Sequence, residues 1–439
     1  MSEQVNRTKS PIIFYGWIVV AISLVTMTIA YSTRYSFSVF YVAILDEFGW
    51  SRAETALAFS INMISYAALS PLAGALIDRF GPRRVFPVGA VICGLGMLGL
   101  SQLNSIWQLY LFSGLSAVGL VFMGYIAHSC FLPHWFSLKL GTALGIAVVG
   151  SAVANISSMP VQYLIENIGW RGAYIVITII VVTVIVPLTA IFQRHRARDM
   201  GLPLDGITRS EGKQSKEDIE DLRIVDKKWT STDWTLARAI KTRRFWFLFT
   251  QTFIAGIAYN TILVHTVAFI VDVGYSKMLA ASIFALVGVL AVMSALGGVI
   301  SDRIGRELSY TLGIIGMCVA VFALISVRDT SSPWMLYLFA VLFGACQGVD
   351  RPIIMAAKAD VFRGQHLGMI MGFNNLGYGV GAAIGSWLAG YIFDVSGSYT
   401  LAFVIVVLCL IVSAILIWAA APRKVRVVGG KVRQRQYSP

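Results

Sequence analysis

Twelve runs of mostly apolar residues, each long enough to cross a bilayer, dominate this sequence. They cover about 14–44, 53–77, 85–103, 106–133, 140–165, 172–193, 245–271, 278–300, 308–327, 333–359, 365–393 and 399–421. Roughly 20 apolar residues cross about 30 Å of hydrocarbon as a helix. Backbone polar groups in lipid must be satisfied within the chain, so only helices or a closed barrel can span it. A barrel would show short alternating strands instead of these long runs. The reading is an all-α membrane protein with twelve transmembrane helices. Of 439 residues, 57% are hydrophobic and 13% charged, against about a quarter charged in soluble domains. That composition excludes a soluble enzyme, a disordered chain and a nucleic-acid-binding domain. Cys93, Cys130, Cys318, Cys346 and Cys409 are scattered through apolar runs without a CxxC pair or a Cys/His ligand spacing. Neither a disulfide framework nor a metal site is indicated, and no cofactor is expected.

The formal net charge is +13, and its location explains it. With a cytoplasmic N-terminus, 29 of the 35 Lys and Arg fall in inner loops, the central linker and the tail, and 4 fall in outer loops. Lys and Arg excess marks the cytoplasmic side. The expected location is the cell membrane, with both termini cytoplasmic and the lipid bilayer as the surrounding partner. The two basic residues left over, Arg34 and Arg351, lie deep inside spans. The first apolar run is too long for a signal h-region and is read as a retained helix.

The segment 194–244 is the only large polar interruption, with 13 basic and 9 acidic residues. It divides the chain into a cytoplasmic N-terminus (1–13), a six-helix half (14–193), a linker (194–244), a second six-helix half (245–421) and a basic tail (422–439). Thr232 or Asp233 is a candidate cap for a short amphipathic helix using Trp234, Leu236, Ala237 and Ile240, lying at the inner membrane surface. The halves repeat. Gly74-Ala-Leu-Ile-Asp78-Arg79-Phe-Gly81 matches Gly298-Val-Ile-Ser-Asp302-Arg303-Ile-Gly305 at an offset of 224 residues. Gly49-Trp50-Ser51-Arg52 matches Gly274-Tyr275-Ser276-Lys277 at 225, and Ala143-Leu144-Gly145-Ile146 matches His366-Leu367-Gly368-Met369 at 223. Three matches at nearly one offset indicate a duplication into two pseudo-symmetric bundles. Such an arrangement places a substrate path between the halves near the bilayer midplane.

The G-x-x-x-D-R-x-G pattern of Gly74, Asp78, Arg79 and Gly81, followed by Arg83 and Arg84, resembles the signature loop of the major facilitator superfamily. Asp302 and Arg303 belong to its weaker copy. The resemblance, with twelve spans and the charge map, covers nearly the whole chain. It implies a gate in which Asp78 meets a helix N-terminus and Arg79 an acidic partner. Within the superfamily, Tyr15-Gly16-Trp17, Phe48-Gly49-Trp50-Ser51-Arg52 and the stretch from Trp135 to Ala147 are similar to the monocarboxylate transporter family and its bacterial oxalate/formate antiporter relatives. Members move small organic anions, often with a proton. That family often carries a substrate-binding arginine in its eighth helix; Leu279 to Ile300 here carry no charge.

Charges inside spans are costly and mark function. Arg34 and Arg351 each offer a planar fork to a carboxylate; the competing role for either is an interhelical ion pair. Asp350 adjoins Arg351 but points about 100° away, while Gln347 shares a face with both. Asp350 is read as a coupling or pairing carboxylate. The repeat offset maps Arg351 onto His128 and Arg34 onto Tyr259. Tyr125 and His128 share a face of helix 4. Tyr259, Asn260 and His265 interrupt the seventh run. Tyr31 and Tyr35 flank Arg34, and Asn374 and Tyr378 sit in helix 11 beside Gly377, Gly381 and Gly385. That glycine ladder reads as close helix packing. Together these residues point to a monomeric secondary transporter for a small organic anion, a mono- or dicarboxylate, with a proton as candidate co-substrate. No Walker-type phosphate loop is present, which disfavours a pump. The alternatives are a drug exporter of the same superfamily, a transporter-derived receptor or scaffold, and a membrane-embedded enzyme. The last has no H-E-x-x-H, G-x-S-x-G or carboxylate cluster to support it.

Overall fold

The computed structural model describes residues 14–136, 139–202, 224–292, 300–364 and 366–428. Among them ten helical stretches are long and apolar enough to cross a membrane, and Lys277–Ala291 is a shorter apolar helix. One of the ten, Thr142–Phe192, is 51 residues long. It reverses at Gly169, whose φ of +74° suits glycine, so it supplies two crossings. The described helices therefore account for twelve.

In the first half these are α1 (Tyr15–Tyr35), α2 (Phe37–Phe48), α3 (Arg52–Phe80), α4 (Pro82–Leu100), α5 (Ile106–Met123), α6 (Tyr125–Phe131), α7 (Leu140–Val153), α8 (Ser158–Ile180) and α9 (Val186–Phe192). α1 and α2 together form the first span, and α5 and α6 the fourth. The linker contributes α10 (Lys227–Thr230) and α11 (Leu236–Ala239). The second half holds α12 (Arg243–Asp272), α13 (Lys277–Ala291), α14 (Arg306–Ser326), α15 (Pro333–Val361), α16 (Leu367–Ser396) and α17 (Thr400–Ala420).

The Tyr15 hydroxyl donates to the Phe192 carbonyl at 2.6 Å, and Ile224 bridges to Arg426. The start of the first span, the end of the sixth, the linker and the tail thus share one face, here the termini face. The loops at 49–51 and 273–276 mark the far face.

α12 and α16 pack backbone to backbone. A Cβ on Gly381 would collide with the Phe253 carbonyl, and one on Gly385 with Ile257; the glycine ladder is this interface. Across the halves, Ser60 Oγ donates to the Ala383 carbonyl at 2.6 Å and Ser158 Oγ to that of Ala281 at 3.0 Å. The linker is tied to the second half. Trp229, Trp234 and Phe362 form one aromatic cluster, and the Trp229 indole donates to the Val361 carbonyl. The cap of α11 differs from the expectation at Thr232 or Asp233: the Thr235 hydroxyl accepts from the Arg238 N–H, and Asp226 caps an additional helix, α10. Both are short side chains placed where a helix has unpaired N–H groups. The opening segment 1–13, Gly298 of the repeat and most of the basic tail lie outside the described residues.

Candidate functional site

The first span breaks at Ser36, where the run changes from α1 to α2. Ser32 and Ser36 both return their hydroxyls to carbonyls four residues back, a habit that bends helices. Arg34 sits beside that break, near the middle of the span. Its residue is 9% exposed, and its Nε and Nη2 have no hydrogen-bond partner among the described residues. The guanidinium lies 4.3 Å from the Tyr66 ring centre and 5.6 Å from that of Tyr31. The two tyrosine hydroxyls are 3.1 Å apart, and the Tyr125 N–H donates to the Tyr31 oxygen at 3.4 Å. The rings attract the cation while Nε and Nη2 stay unpartnered among the described residues.

α15 supplies the opposite wall. Gln347, Asp350 and Arg351 follow one another within about one turn, at the spacings of three and four that share a face. Asp350 is buried; its Oδ2 accepts from the Tyr259 hydroxyl at 3.3 Å, and its Oδ1 has no partner among the described residues. It packs against Gly313 of α14, where any Cβ would strike the carboxylate. Arg351 is exposed and lines the cavity together with Tyr35, Tyr259 and Tyr378. Asn260 is held by the Gly256 carbonyl at 2.9 Å and the Tyr378 hydroxyl at 3.1 Å.

Arg34, Arg351 and Asp350 line one cavity of about 290 Å³ between the halves, together with Tyr31, Tyr125, Tyr259, Asn260 and Gln347. Tyr35, Tyr66, Gln251, Tyr310, Asn375 and Tyr378 also line it, with Ser151 and Thr252. The sequence reading passed over Tyr66, Gln251 and Tyr310. Each stands beside Ser or Thr in a run that hydropathy alone assigns to lipid, and the signal that finds them is a partner on another helix. Gln251 donates to the Tyr310 hydroxyl at 2.8 Å, and that hydroxyl lies 3.0 Å from Ser413 Oγ.

Three sequence candidates lie away from the cavity. His128 is buried between Phe86 and Phe131, with Nδ1 at 2.9 Å from the Gly124 carbonyl. The break at Gly124 between α5 and α6 turns the following helix, so Tyr125 reaches the cavity and His128 does not. His265 is fully buried toward the far face, with Nε2 2.7 Å from the Ser386 carbonyl and Nδ1 3.1 Å from the Tyr399 hydroxyl. Asn374 donates to the Ile370 carbonyl at 3.0 Å inside its own helix, and Asn375, about 100° further round, takes the cavity position.

The signature loop adopts a compact turn. Gly81 has φ +74° and lies against His195, Pro82 opens α4, and Arg83 Nε donates to the Ala190 carbonyl at 2.6 Å. Gly74 faces Cys130. Asp78, Arg79 and Arg84 are exposed, and neither Asp78 nor Arg79 forms an ion pair among the described residues. In the second copy Asp302 pairs with Arg306 at 2.7 Å, Arg306 also reaches Asp360 at 2.9 Å, and Arg303 is exposed.

A bundle of twelve spans in two repeated halves, with a cavity between them into which two arginines and an aspartate project, defines a membrane transporter. The Major Facilitator Superfamily model matches residues 22–330 and 289–438; the chain belongs to that superfamily. Monocarboxylate transporter 13 of Rattus norvegicus is 25% identical over 411 residues, covering 91% of this chain and 88% of that protein. Monocarboxylate transporter 2 of Homo sapiens is 26% identical over 399 residues, covering 88% and 81%. A solved bacterial homologue of the human lysosomal transporter Spinster, inward-facing and unoccupied, matches with a TM-score of 0.63 at 15% identity over 97% of this chain and 99% of that one. That last likeness is one of fold.

Proposed function

We propose that this transporter carries a small organic anion, a mono- or dicarboxylate, by alternating access, with a proton carried on Asp350. The observation that bears most weight is the state of Arg34. It is a guanidinium nine-tenths buried, with free N–H donors, sharing one cavity with Arg351 from the other half. A buried charge normally has an ionised partner, because desolvation is costly. Neither arginine is ion-paired to a carboxylate among the described residues, so a bound carboxylate is the natural counter-charge. A cavity carrying two arginines is hostile to a cationic drug. The relatives named monocarboxylate transporters support the same reading.

Because one arginine comes from each half, the anion bridges the bodies that rock. Asp350, next to Arg351 and hydrogen-bonded to Tyr259, is the acidic group of the cavity and the candidate proton carrier. In this reading the termini face is cytoplasmic, in keeping with the distribution of Lys and Arg.

The test is uptake of radiolabelled mono- and dicarboxylates by proteoliposomes. Arg34→Ala and Arg351→Ala each lower uptake about tenfold or more, the scale of one lost charge-assisted contact, while both proteins remain folded by thermal melting. Undiminished uptake in both variants rejects the anion site.

A further inference from the structure

On the far face, charged contacts join the two halves. Arg52, at the start of α3, meets Asp272, at the end of α12, through two hydrogen bonds of 2.6 and 2.7 Å. The same guanidinium donates to the Tyr399 hydroxyl at 2.7 Å and lies 3.7 Å from the Phe393 ring centre. The backbone N–H groups of Arg52 and Ala53 donate to the Asp394 carboxylate at 2.9 and 2.8 Å. A carboxylate of the second half therefore caps the positive end of a helix in the first. On the other side of the bundle, Lys277 at the start of α13 pairs with Asp46 near the end of α2.

These pairs are images of one another under the duplication. Residue 52 maps onto 277 at an offset of 225, and 46 maps onto 272 at 226. In each half the helix after the first far-face loop donates the cation, and the helix before it donates the anion. We infer that Arg52–Asp272 and Lys277–Asp46 form a twofold-related latch that must break before the substrate path opens to the far face. This rests on the alternating-access reading.

The two arms are unequal. Arg52 and Asp272 side chains are 17% and 33% exposed, and their contact is a planar fork on a carboxylate. Lys277 and Asp46 are 44% and 53% exposed, a setting in which an ion pair contributes little. The Arg52 arm sets the population of the closed state. Its anchor, Tyr399, is held by buried His265, which gives that histidine a structural task away from the cavity.

Leu263 on α12 lines the cavity. A cysteine there (Leu263→Cys), in full-length protein, reports access from the far face by its reaction with a membrane-impermeant thiol reagent, read above the background of the native cysteines. Adding Arg52→Ala raises the labelling rate about fivefold or more, and adding Lys277→Ala about twofold or less. Arg52→Lys keeps the charge but loses the fork and gives an intermediate rate; it carries the test where Arg52→Ala does not reach the membrane. The swap of Arg52→Asp with Asp272→Arg restores slow labelling. Unchanged labelling in both Arg52 variants, or a swap that labels as fast as Arg52→Ala, overturns the latch. Labelling needs no substrate, so a failure of carboxylate uptake in the parent protein would sink the anion reading and leave this result standing.

Discussion

The Arg34 guanidinium lies over the Tyr66 ring, 4.3 Å from its centre, and Tyr66 belongs to the second span. The cation is thus positioned by a helix other than its own. The ring attracts the charge without consuming the N–H donors, which is the arrangement a binding arginine requires.

Removing that face should weaken the grip on the anion. Tyr66→Ala is expected to raise the half-saturating carboxylate concentration about threefold to tenfold, the range of a partly desolvated cation–π contact. Tyr66→Phe keeps the ring but drops the hydroxyl that meets Tyr31; its shift should be smaller than that of the alanine variant. Concentration-dependent uptake measures both, and equal effects would assign the role to the hydroxyl instead.

Asp350 has one hydroxyl donor, Tyr259, and an unpartnered second oxygen. Asp350→Asn retains the shape and removes the titrating group. Uptake driven by an inward proton gradient should fall to the level seen without a gradient, while carboxylate exchange at equal pH continues. The comparison is of uptake at symmetric and asymmetric pH. An unaltered response to the gradient would reject the proton-carrying role.

His195 lies outside the spans, against Gly81 of the signature turn. Burial, with the nearby His134 and Arg196, holds it below the ordinary histidine value of 6.5. The unfolded chain therefore takes up this proton first as the pH falls. The folded state has its full advantage above about 6.5 and loses it as the pH drops through the lower, folded value. Thermal melting between about pH 7.5 and 5.5 should show an acid-induced fall in Tm that is smaller in His195→Gln by on the order of 1–2 °C. Identical falls in the two proteins would show that His195 protonation is not linked to folding.

Several features were legible along the chain. Arg34 and Arg351 stand out because a charge inside an apolar run has a local cost that no neighbour in sequence offsets. Gly381 and Gly385 read as packing positions because small residues at helical spacing have few other uses in lipid. The gap between the fifth and sixth runs, 166–171, was legible as well; that Gly169 makes the turn there, at a φ of +74°, is a property of the backbone alone.

The sequence by itself determined the twelve spans, the duplication and the presence of two buried cations, since these follow from hydropathy and identity summed along one dimension. Tertiary structure decided which side chains face the cavity. Asn375 does and Asn374 does not, and Tyr66 and Tyr310 join it while His128 and His265 turn aside. The rotation of each helix about its axis is set by packing against helices far away in the chain. The far-face pairs came from the same source: Arg52 and Asp272 are 220 residues apart, and only the apposition of the two halves makes them partners.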